Sequence, residues 1–548
     1  MIDELRNASN RLRAALDHYV RICSNLQDIC LHGTTPQNII VDYVDQVERE
    51  LGLVESYDVK MQLAKKAIKV TRNYAFKITP INCLPAEILI RVFHAARDIE
   101  PCTVDHLALV CSHWRSIALR DPSLWTRIDF HPSICRSFDL SLNRAEAHII
   151  RSDKMPIDVH ISAARDSPKK GYYDIPMKNL CYRAAPRMAS LELYFTEFES
   201  NDLLLNRHSA ISTLLSHCQL GLFTKLHTLS DSFGFLSSEQ LGPGRRDIVL
   251  EVENSRFEAV LLPVTALNLI GLYPPWTSQA YHGLVELRLF TSPGGTDSIP
   301  EWRLINILQS SPGLRILRLS LLIIDRIEES LNVSVPLPHL EFLQVDSEPF
   351  PRSNFCHLEL VRFLTPGLRP LDFTIQCSGL QLTESSKVHT KEFLERSSVT
   401  RFHADQVPHP YGFLPLMPRL KGLILSNCEP LPMGRPGFNE LLDQEDSSLI
   451  IYPKLDVCLI LECTLSLDEF RVILQRCQVQ ALIVYSSKFV SSTNGQVLGT
   501  ETAIKELSEV CPEVKIRNDI PRVVEHGDFF FEYTIPVSHY YRNPDLYS

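Results

Sequence analysis

The sequence has no apolar run of the roughly 20 residues that a helix needs to cross a bilayer. The best candidate, RILRLSLLII, is interrupted by arginine. The opening stretch, MIDELRNASNRL, is polar and acidic and has no apolar core of the kind that secretory signals contain. We therefore expect a protein of the cytoplasm or the nucleus that is not secreted and does not enter a membrane.

Long basic runs and cysteine motifs are also missing. The formal net charge of −10 is modest for 548 residues, so we expect no general binding to nucleic acid. The 15 cysteines are dilute, no CxxC pair occurs, and several, such as Cys111, Cys458 and Cys463, lie inside apolar patterns. This pattern favours buried free thiols in a reducing compartment over disulfides.

Motifs of catalysis are absent as well. The sequence contains no GxGxxG, GxxxxGK[ST], HExxH or GxSxG. Histidine lies near aspartate in HYYRNPD and HADQVPHP, but neither stretch has a nucleophile at a meaningful spacing. We therefore expect no catalysis, no metal site and no cofactor.

Helical periodicity characterises the first 79 residues. Apolar residues recur at steps of three, four or seven from Leu5 to Leu26, and a second stripe runs from Ile40 to Val54. The sequence HGTTP between them favours a helix end followed by a new start. We predict a helical hairpin or short coiled coil, which either packs as a helix pair or acts as a dimerisation device.

Short helices bounded by prolines are predicted for residues 80–130. Pro85 suits the first turn of a helix, and Asp121-Pro122 ends the last one. Between them, one helix is expected to carry an apolar face. That face consists of Leu107, Val110, Cys111, Trp114 and Ile117. The segment is too small for an independent core and needs another surface to pack against.

Apolar strands recur from residue 131 to about 520, often after a helical stretch that ends in proline or a polar turn. Their spacing of roughly 20 to 40 residues is that of stacked helix–strand units. The stretch GFLSSEQLGPGRRDIVLEVENSRF (234–257) fits this period badly and is predicted to be a loop or insertion. The aromatic tail, 521–548, is either a cap or a binding segment. The predicted strands are PIDVHI, ASLELYF, LHTLSD, VTALNLI, LVELRLF, LRILRLS, LEFLQVD, LRPLDFTI, VTRFHAD, LKGLILS, LDVCLIL and VQALIVY.

The stretch 84–130 resembles the F-box. It has Leu-Pro-x-Glu-Ile near its start, Val-Cys-x-x-Trp in the middle and Pro-x-Leu-Trp at its end. The resemblance covers less than a tenth of the chain, but many residues fall in order at the expected spacings. The matching residues are Leu84, Pro85, Glu87, Ile88, Val92, Phe93, Leu107, Val110, Cys111, Trp114, Arg115, Ile117, Ala118, Pro122, Leu124 and Trp125.

The layout is similar to that of F-box proteins of mushroom-type fungi, with a helical segment before the motif and a degenerate leucine-rich array after it. LKGLILSNC fits the leucine-rich pattern, whereas most other units depart from it. The predicted fold is an α/β repeat with four parts. These are a helical hairpin or short coiled coil (1–79), a small all-α F-box (80–130), a leucine-rich-repeat-like solenoid of strand–helix units (131–520) and the aromatic cap or tail (521–548).

In the F-box family, the helices dock onto the small Skp adaptor, which bridges to a cullin scaffold of a ubiquitin ligase. The resemblance implies that eight residues form the adaptor surface. Two of them, Val110 and Trp114, either contact the adaptor or brace the residues that do. The eight are Leu84, Pro85, Ile88, Leu89, Val92, Phe93, Val110 and Trp114.

Three functions follow as hypotheses. The first is a non-catalytic substrate receptor of a Skp–cullin–F-box ubiquitin ligase, whose repeat region recruits a target protein of unknown identity. The second is an adaptor-bound scaffold that acts outside ubiquitin transfer. The third, an enzyme hidden in the repeat region, would need a pocket with converging polar groups, and no residue pattern points to one.

Overall fold

The structure is a computed structural model, and the chain divides into two compact units, Met1–Arg120 and Asp121–Ser548. The predicted boundaries at 79/80 and 130/131 remain predictions, and the aromatic segment 521–548 lies outside the described residues. The described residues are 1–32, 40–73, 81, 84–99, 103–130, 138–163, 174–195, 201–239, 247–292, 297–325, 333–347, 357–377, 384–407, 410–429, 451–491 and 496–517.

Two long helices open the first unit, α1 (Ile2–His32) and α2 (Ile40–Asn73). They meet at Tyr19, whose hydroxyl donates a hydrogen bond of 3.0 Å to the Glu50 carboxylate. The Tyr19 ring also lies edge-on to Tyr57, with 6.4 Å between centroids. Where side chains are described, the large aliphatic ones of both helices are exposed.

Three short helices follow, α3 (Ala86–Ile99), α4 (Thr103–Val110) and α5 (Ser112–Arg120). All three pairs of these helices are in contact. The last ends just before Asp121-Pro122, as predicted. The single helix expected around Cys111 is wrong, because the chain breaks there. The Cys111 carbonyl accepts from Arg115 N–H at 2.9 Å and its sulfur from Trp114 N–H at 3.5 Å, so Cys111 caps the start of α5.

The second unit contains 21 strands in its described residues. They are β1 (Arg127–Phe130), β2 (Ile157–Ala163), β3 (Met188–Phe195), β4 (Lys225–Ser237), β5 (Ile248–Val249), β6 (Ala266–Tyr273), β7 (Glu286–Phe290), β8 (Ser298–Pro300), β9 (Ile316–Leu319), β10 (Leu322–Ile324), β11 (Val335–Leu337), β12 (Phe342–Ser347), β13 (Leu364–Pro366), β14 (Leu371–Cys377), β15 (Val399–Asp405), β16 (Gly422–Ser426), β17 (Val457–Leu461), β18 (Thr464–Ser466), β19 (Ala481–Tyr485), β20 (Lys488–Val490) and β21 (Glu513–Arg517).

A long parallel sheet is built from these strands in chain order, β1-β2-β3-β4-β6-β7-β9-β12-β14-β15-β16-β17-β19-β21, with β5 beside β4. Each strand therefore pairs with those that flank it in the chain, apart from the short strands that form three separate pairs. These pairs are β8 with β10, β11 with β13 and β18 with β20.

Helices lie in the connections between many of the sheet strands. The α-helices are α6 (Phe138–Arg151), α7 (Asp174–Ala184), α8 (Asn201–His217), α9 (Asn254–Leu261), α10 (Glu301–Gln309), α11 (Glu384–Arg396), α12 (Leu467–Arg476) and α13 (Thr500–Ser508). Short 3-10 helices cover Pro122–Trp125, Ala185–Arg187, Gln279–Tyr281, His357–Arg362 and Pro410–Leu416.

The core lies between one face of the sheet and these helices. Leu287 of β7, Leu317 of β9 and Leu343 of β12 stand side by side in the register and are fully buried. Leu304 and Leu308 of α10 belong to the same cluster. Because side chains alternate across a strand, the residues between the core leucines face the other side of the sheet. That side is called the open face below.

The twelve predicted strands coincide with β2, β3, β4, β6, β7, β9, β12, β14, β15, β16, β17 and β19. Strand starts are separated by 20 residues (266 to 286) up to 41 residues (225 to 266). The prediction of a loop or insertion at 234–257 is wrong at both ends. Strand β4 reaches Ser237 and α9 begins at Asn254, because Phe235 and Phe257 are buried in the core.

Two further expectations bear on the described residues. No described helix combines the length and the apolar character that spanning a bilayer requires. The nine cysteines whose side chains the structure describes are free, and seven of them are buried. Cys458 and Cys463 are among the seven, as predicted, whereas Cys111 is only partly buried.

Candidate functional site

Helix α3 carries apolar side chains on two of its faces. Leu89 and Phe93, four residues apart, are fully buried and mark the face that packs inside the protein. Ile88 and Val92 are each 41% exposed and Ile99 is 86% exposed. Steps of four and seven residues return to one side of a helix, so these three form a second, exposed stripe. A helix that packs only within its own domain needs a single apolar stripe, and the second one therefore points to a partner.

The stripe begins before the helix itself. Leu84, four residues ahead of Ile88, is exposed, and so is Pro85. The Pro85 carbonyl accepts hydrogen bonds of 3.1 Å from the N–H groups of Ile88 and Leu89, which fixes the first turn of α3. Pro85 thus sets the direction in which the exposed side chains leave the helix, and its missing N–H costs nothing at this position.

Helices α4 and α5 add a second apolar area to the same unit. Val110 is exposed, and its neighbour Leu109 is exposed even more. Trp114 is partly buried, and its ring lies 5.1 Å from the ring of Phe93 at an angle of 54°. Trp114 therefore braces α3 against α5, whereas Val110 presents its side chain outward.

The structure separates the eight predicted adaptor contacts into three groups. Leu84, Pro85, Ile88, Val92 and Val110 are exposed and Trp114 is partly exposed; for these six the assignment stays a prediction. Leu89 and Phe93 have no exposed surface, so a partner cannot touch them as they are placed here. We assign these two to internal packing.

Two exposed apolar residues, Ile99 and Leu109, were missed by the sequence analysis. Leu109 went unnoticed because the stretch around Cys111 was interpreted as one helix, which puts Leu109 off the apolar face. The seven-residue step from Val92 to Ile99 was the available signal for the first of them. Both enlarge the apolar surface that the first unit exposes.

The open face of the sheet carries a polar row that crosses ten adjacent strands. The row then becomes apolar at Ile424, Leu459 and Ile483 of β16, β17 and β19. The face is therefore polar over its larger part and apolar toward its C-terminal strands. The polar members, in register from β1 to β15, are Asp129, His160, Glu192, His227, Asn268, Arg288, Arg318, Gln344, Thr374 and His403.

Asp129, at the start of the row, accepts three hydrogen bonds from side chains. Its buried carboxylate accepts from Arg127 Nε at 3.0 Å, Arg144 Nη1 at 3.1 Å and His160 Nδ1 at 3.0 Å. Burial by itself would raise its pKa. The hydrogen bond with His160 and the charges of Arg127 and Arg144 outweigh burial and hold the pKa of Asp129 well below its usual range. The carboxylate is thus charged and joins β1, β2 and α6.

The two histidines further along the row are neutral at neutral pH. Burial, together with the charges of His160 and Arg288, lowers the pKa of His227 to about 4. Burial lowers the pKa of His403 to about 3. Removing a cationic imidazole from water is unfavourable, so both rings bind a proton only in acid. They contribute hydrogen bonds to the open face without adding positive charge.

His403, Ser426 and Asp405 form a hydrogen-bonded chain on β15 and β16. His403 Nε2 and Ser426 Oγ are 2.8 Å apart, and Ser426 Oγ donates to Asp405 Oδ1 at 2.9 Å. Nucleophilic catalysis by serine needs the histidine between serine and carboxylate. Here the serine lies in the middle and donates its hydrogen bond to Asp405, so we assign this chain of hydrogen bonds to holding β15 and β16 together. Sequence analysis had not connected Ser426 with the HADQVPHP stretch.

Cys428 and Cys463, which follow β16 and β17, form a pair of neighbouring buried thiols. The Cys428 N–H donates to Cys463 Sγ at 3.4 Å. The hydrogen bond between the thiols, and then burial, raise the pKa of Cys428. Structural zinc takes four ligands, and among the described residues no group of three or more His, Cys, Asp or Glu is placed to hold a metal.

Comparison with known proteins identifies the segment that contains α3. Residues 81–131 match the family model described as F-box-like. The match includes α3, α4, α5, the Pro122–Trp125 turn and β1, and it confirms the F-box predicted from the sequence. No curated protein matches the chain.

Proposed function

We propose that this chain is the substrate-receptor subunit of a Skp–cullin–F-box ubiquitin ligase. The observation that supports the proposal best is the exposed stripe of Ile88, Val92 and Ile99, which lies within the F-box-like segment. F-box-like domains generally bind Skp-type adaptors, so the adaptor is the natural partner for this stripe.

The stripe has the composition of a protein-binding surface. Interfaces concentrate their energy in a few apolar anchors surrounded by polar groups. On α3 the anchors are flanked by Glu87, Arg91 and Asp98 in the sequence. Full burial of one exposed isoleucine or valine stabilises a complex by about 1.5 to 3 kcal/mol. Association itself costs about 4 to 15 kcal/mol, so these anchors need the remaining contacts of the interface, such as those of Leu84 and Val110, to give a stable complex.

The second unit is, in this proposal, a leucine-rich-repeat-like solenoid. Strands that stack in chain order, each pairing with its neighbours, are the arrangement that repeat proteins use. The one stretch that fits the leucine-rich pattern, LKGLILSNC, supports this, because its pattern residues are all buried. They are Leu420, Leu423, Leu425 and Cys428. The likeness to F-box proteins of mushroom-type fungi belongs to the same proposal.

The solenoid would recruit the target protein. Long arrays present broad surfaces for binding, and the target would contact the open face or the loops beside it. The chain would perform no covalent chemistry itself and would act by raising the concentration of the target near the catalytic subunit. This role needs no cofactor, nucleic acid or membrane, and we place it in the cytoplasm or the nucleus.

The adaptor contact can be tested with the purified full chain and a Skp adaptor. Ile88→Asp combined with Val92→Asp puts two charges into the stripe and should reduce adaptor retention at least tenfold. Leu368→Asp is the matched control, because Leu368 is 88% exposed and lies outside the F-box-like segment. Leu84→Ala with Pro85→Ala should also lose the adaptor. Equal retention by all variants, with circular dichroism unchanged, would remove the interface assignment.

Recovery of cullin distinguishes the two adaptor-based functions. A receptor of the ligase should bring down cullin together with the adaptor, and it should lose both when the stripe is charged. Adaptor without cullin would favour a scaffold that acts outside ubiquitin transfer. Crosslinking with the proteasome blocked would then identify the target.

A further inference from the structure

Helix α2 exposes an apolar seam with coiled-coil spacing. Val47, Val54, Met61 and Ile68 recur every seven residues, and Leu51 lies between the first two. These side chains are 43% to 60% exposed. The second position of the repeat is apolar at Leu51 and charged at Asp58, Lys65 and Arg72, so charge as well as apolar contact decides which helix fits this seam. From Val47 to Ile68 the seam is about 32 Å long, at about 1.5 Å per residue.

Helix α1 leaves this seam accessible. Tyr19 contacts Glu50 and Tyr57. These two residues directly precede Leu51 and Asp58, which occupy the same position in successive repeats of seven residues. The contact thus falls on the flank of the seam. The exposure of Leu51 and Val54 shows that α1 does not cover them.

The charges of α2 are divided between its two halves. Residues 40–58 contain six acidic residues and one basic residue, a net charge of −5. Residues 59–73 contain five basic residues and no acidic one, a net charge of +5. Acidic residues near the start and basic ones near the end also suit the helix dipole. Two such helices attract each other when they run antiparallel, and they repel each other when they run parallel.

The charges of α1 do not complement those of α2. Only seven residues separate His32 from Ile40, so α1 could cover α2 lengthwise only in the antiparallel direction. The half of α1 that would then lie along the basic half of α2, residues 1–19, contains three acidic and three basic side chains and so offers no net negative charge. A second copy of α2 offers the opposite charge to each half.

We propose that α2 pairs in antiparallel orientation with α2 of a second copy of this chain, and that the protein is a homodimer. With the centre of the pair between Val59 and Lys60, Leu51 of one copy lies beside Ile68 of the other, Val54 lies beside the aliphatic part of Lys65, and Glu50 lies near Lys69. A symmetric pair has the same surface on both sides, as the commonest dimers do.

The dimer does not depend on the proposed adaptor contact, because α3 and α2 expose separate apolar surfaces. It would place two receptors in one assembly. A target with two recognition sites would then bind with a higher effective concentration for the second site.

Charge exchange between the halves of α2 provides the test. The acidic variant carries Lys65→Glu, Lys66→Glu and Lys69→Glu, and the basic variant carries Asp45→Lys, Glu48→Lys and Glu55→Lys. Both leave Glu50, the partner of Tyr19, in place. Light scattering after gel filtration, with full-length chain and adaptor, should give two chains per particle for the wild type. Each variant alone should dimerise at least tenfold more weakly, and an equimolar mixture of the two should regain the dimer.

The control replaces the same three lysines with arginine, which keeps the charge and should keep the dimer. A wild type with the mass of one chain at the highest concentration would overturn the proposal. Variants that dimerise as well as the wild type, as expected if the helices ran parallel, would also overturn it. So would a mixture of the two variants that stays monomeric although both variants keep their helicity. Adaptor retention in the same samples shows separately whether the proposed function holds.

Discussion

Leu287 and Leu317, on neighbouring strands of the second unit, are completely buried, whereas Leu51 and Met61 of α2 in the first unit are exposed. All four are large apolar side chains, and they differ in their surroundings. In the sheet, each strand covers the one before it, and the connecting helices cover one face. On α2 and on the outer side of α3, the described part of the chain provides no such cover. Apolar surface of this extent is characteristic of proteins that complete their packing with partners.

The largest predicted effect is the loss of a core leucine from the sheet. Leu317→Ala removes a fully buried side chain from the middle of the core and should lower the free energy of unfolding by about 2 to 5 kcal/mol. Hydrogen exchange in β7, β9 and β12 should accelerate, because repeat units are stabilised by their neighbours. Leu368→Ala, at an exposed position, should change stability by less than about 0.5 kcal/mol. Similar losses for both variants would contradict the contrast between buried and exposed leucines.

Acid should weaken the second unit through His403. Its pKa is about 3 in the folded state and about 6.5 in an unfolded chain. The unfolded chain therefore binds more protons between these values, so stability is highest above pH 6.5 and falls as the pH decreases. The loss between pH 6.5 and pH 4 is roughly 3 kcal/mol.

His403→Gln keeps an amide near Ser426 but cannot titrate. Urea unfolding at pH 7, 6, 5 and 4 should show a smaller loss of stability for this variant than for the wild type. Identical pH dependence in the two proteins would mean that the His403 ring stays in contact with water in the folded protein.

A smaller effect is expected at Gly271, which ends the regular pairing of β6. Its φ of +70° lies in the left-handed region, and a Cβ there would overlap the carbonyl of Ser230. Gly271→Ala should therefore cost about 2 kcal/mol of stability. Gly221, with a φ of +87° and open space around it, is the matched control. Gly221→Ala should cost about 1 kcal/mol, from backbone conformation alone. If both substitutions lower the free energy of unfolding equally, the paired backbones of β4 and β6 move apart to accommodate the added methyl group.

Sequence periodicity was sufficient to predict twelve of the fifteen strands of the sheet. Each of the twelve has enough apolar residues to be recognised on its own, whereas β1 (RIDF) and β21 (EVKIR) are short and contain charges. Which distant residues meet could not be predicted. Asp129 meets Arg144 and His160 because of strand order and register, which local periodicity does not determine.

The two sides of α3 show the same limit within one helix. Ile88, Leu89, Val92 and Phe93 are all apolar, and all four were assigned to the adaptor. Only three-dimensional packing decides that Leu89 and Phe93 point inward. The motif drew attention to this helix, and the structure divided its apolar residues into a buried pair and an exposed stripe.

The smallest predicted change in stability occurs on that helix. Ile88→Ala truncates an exposed side chain and should change the free energy of unfolding of the F-box-like segment by less than about 0.5 kcal/mol. Adaptor affinity should nevertheless fall by about 2 kcal/mol, as expected for an interface anchor. Leu89→Ala, one residue away, should instead destabilise the segment by about 2 to 5 kcal/mol, because this side chain is buried. If both variants lose stability equally, the second stripe of α3 is covered by the protein itself and the adaptor must bind elsewhere.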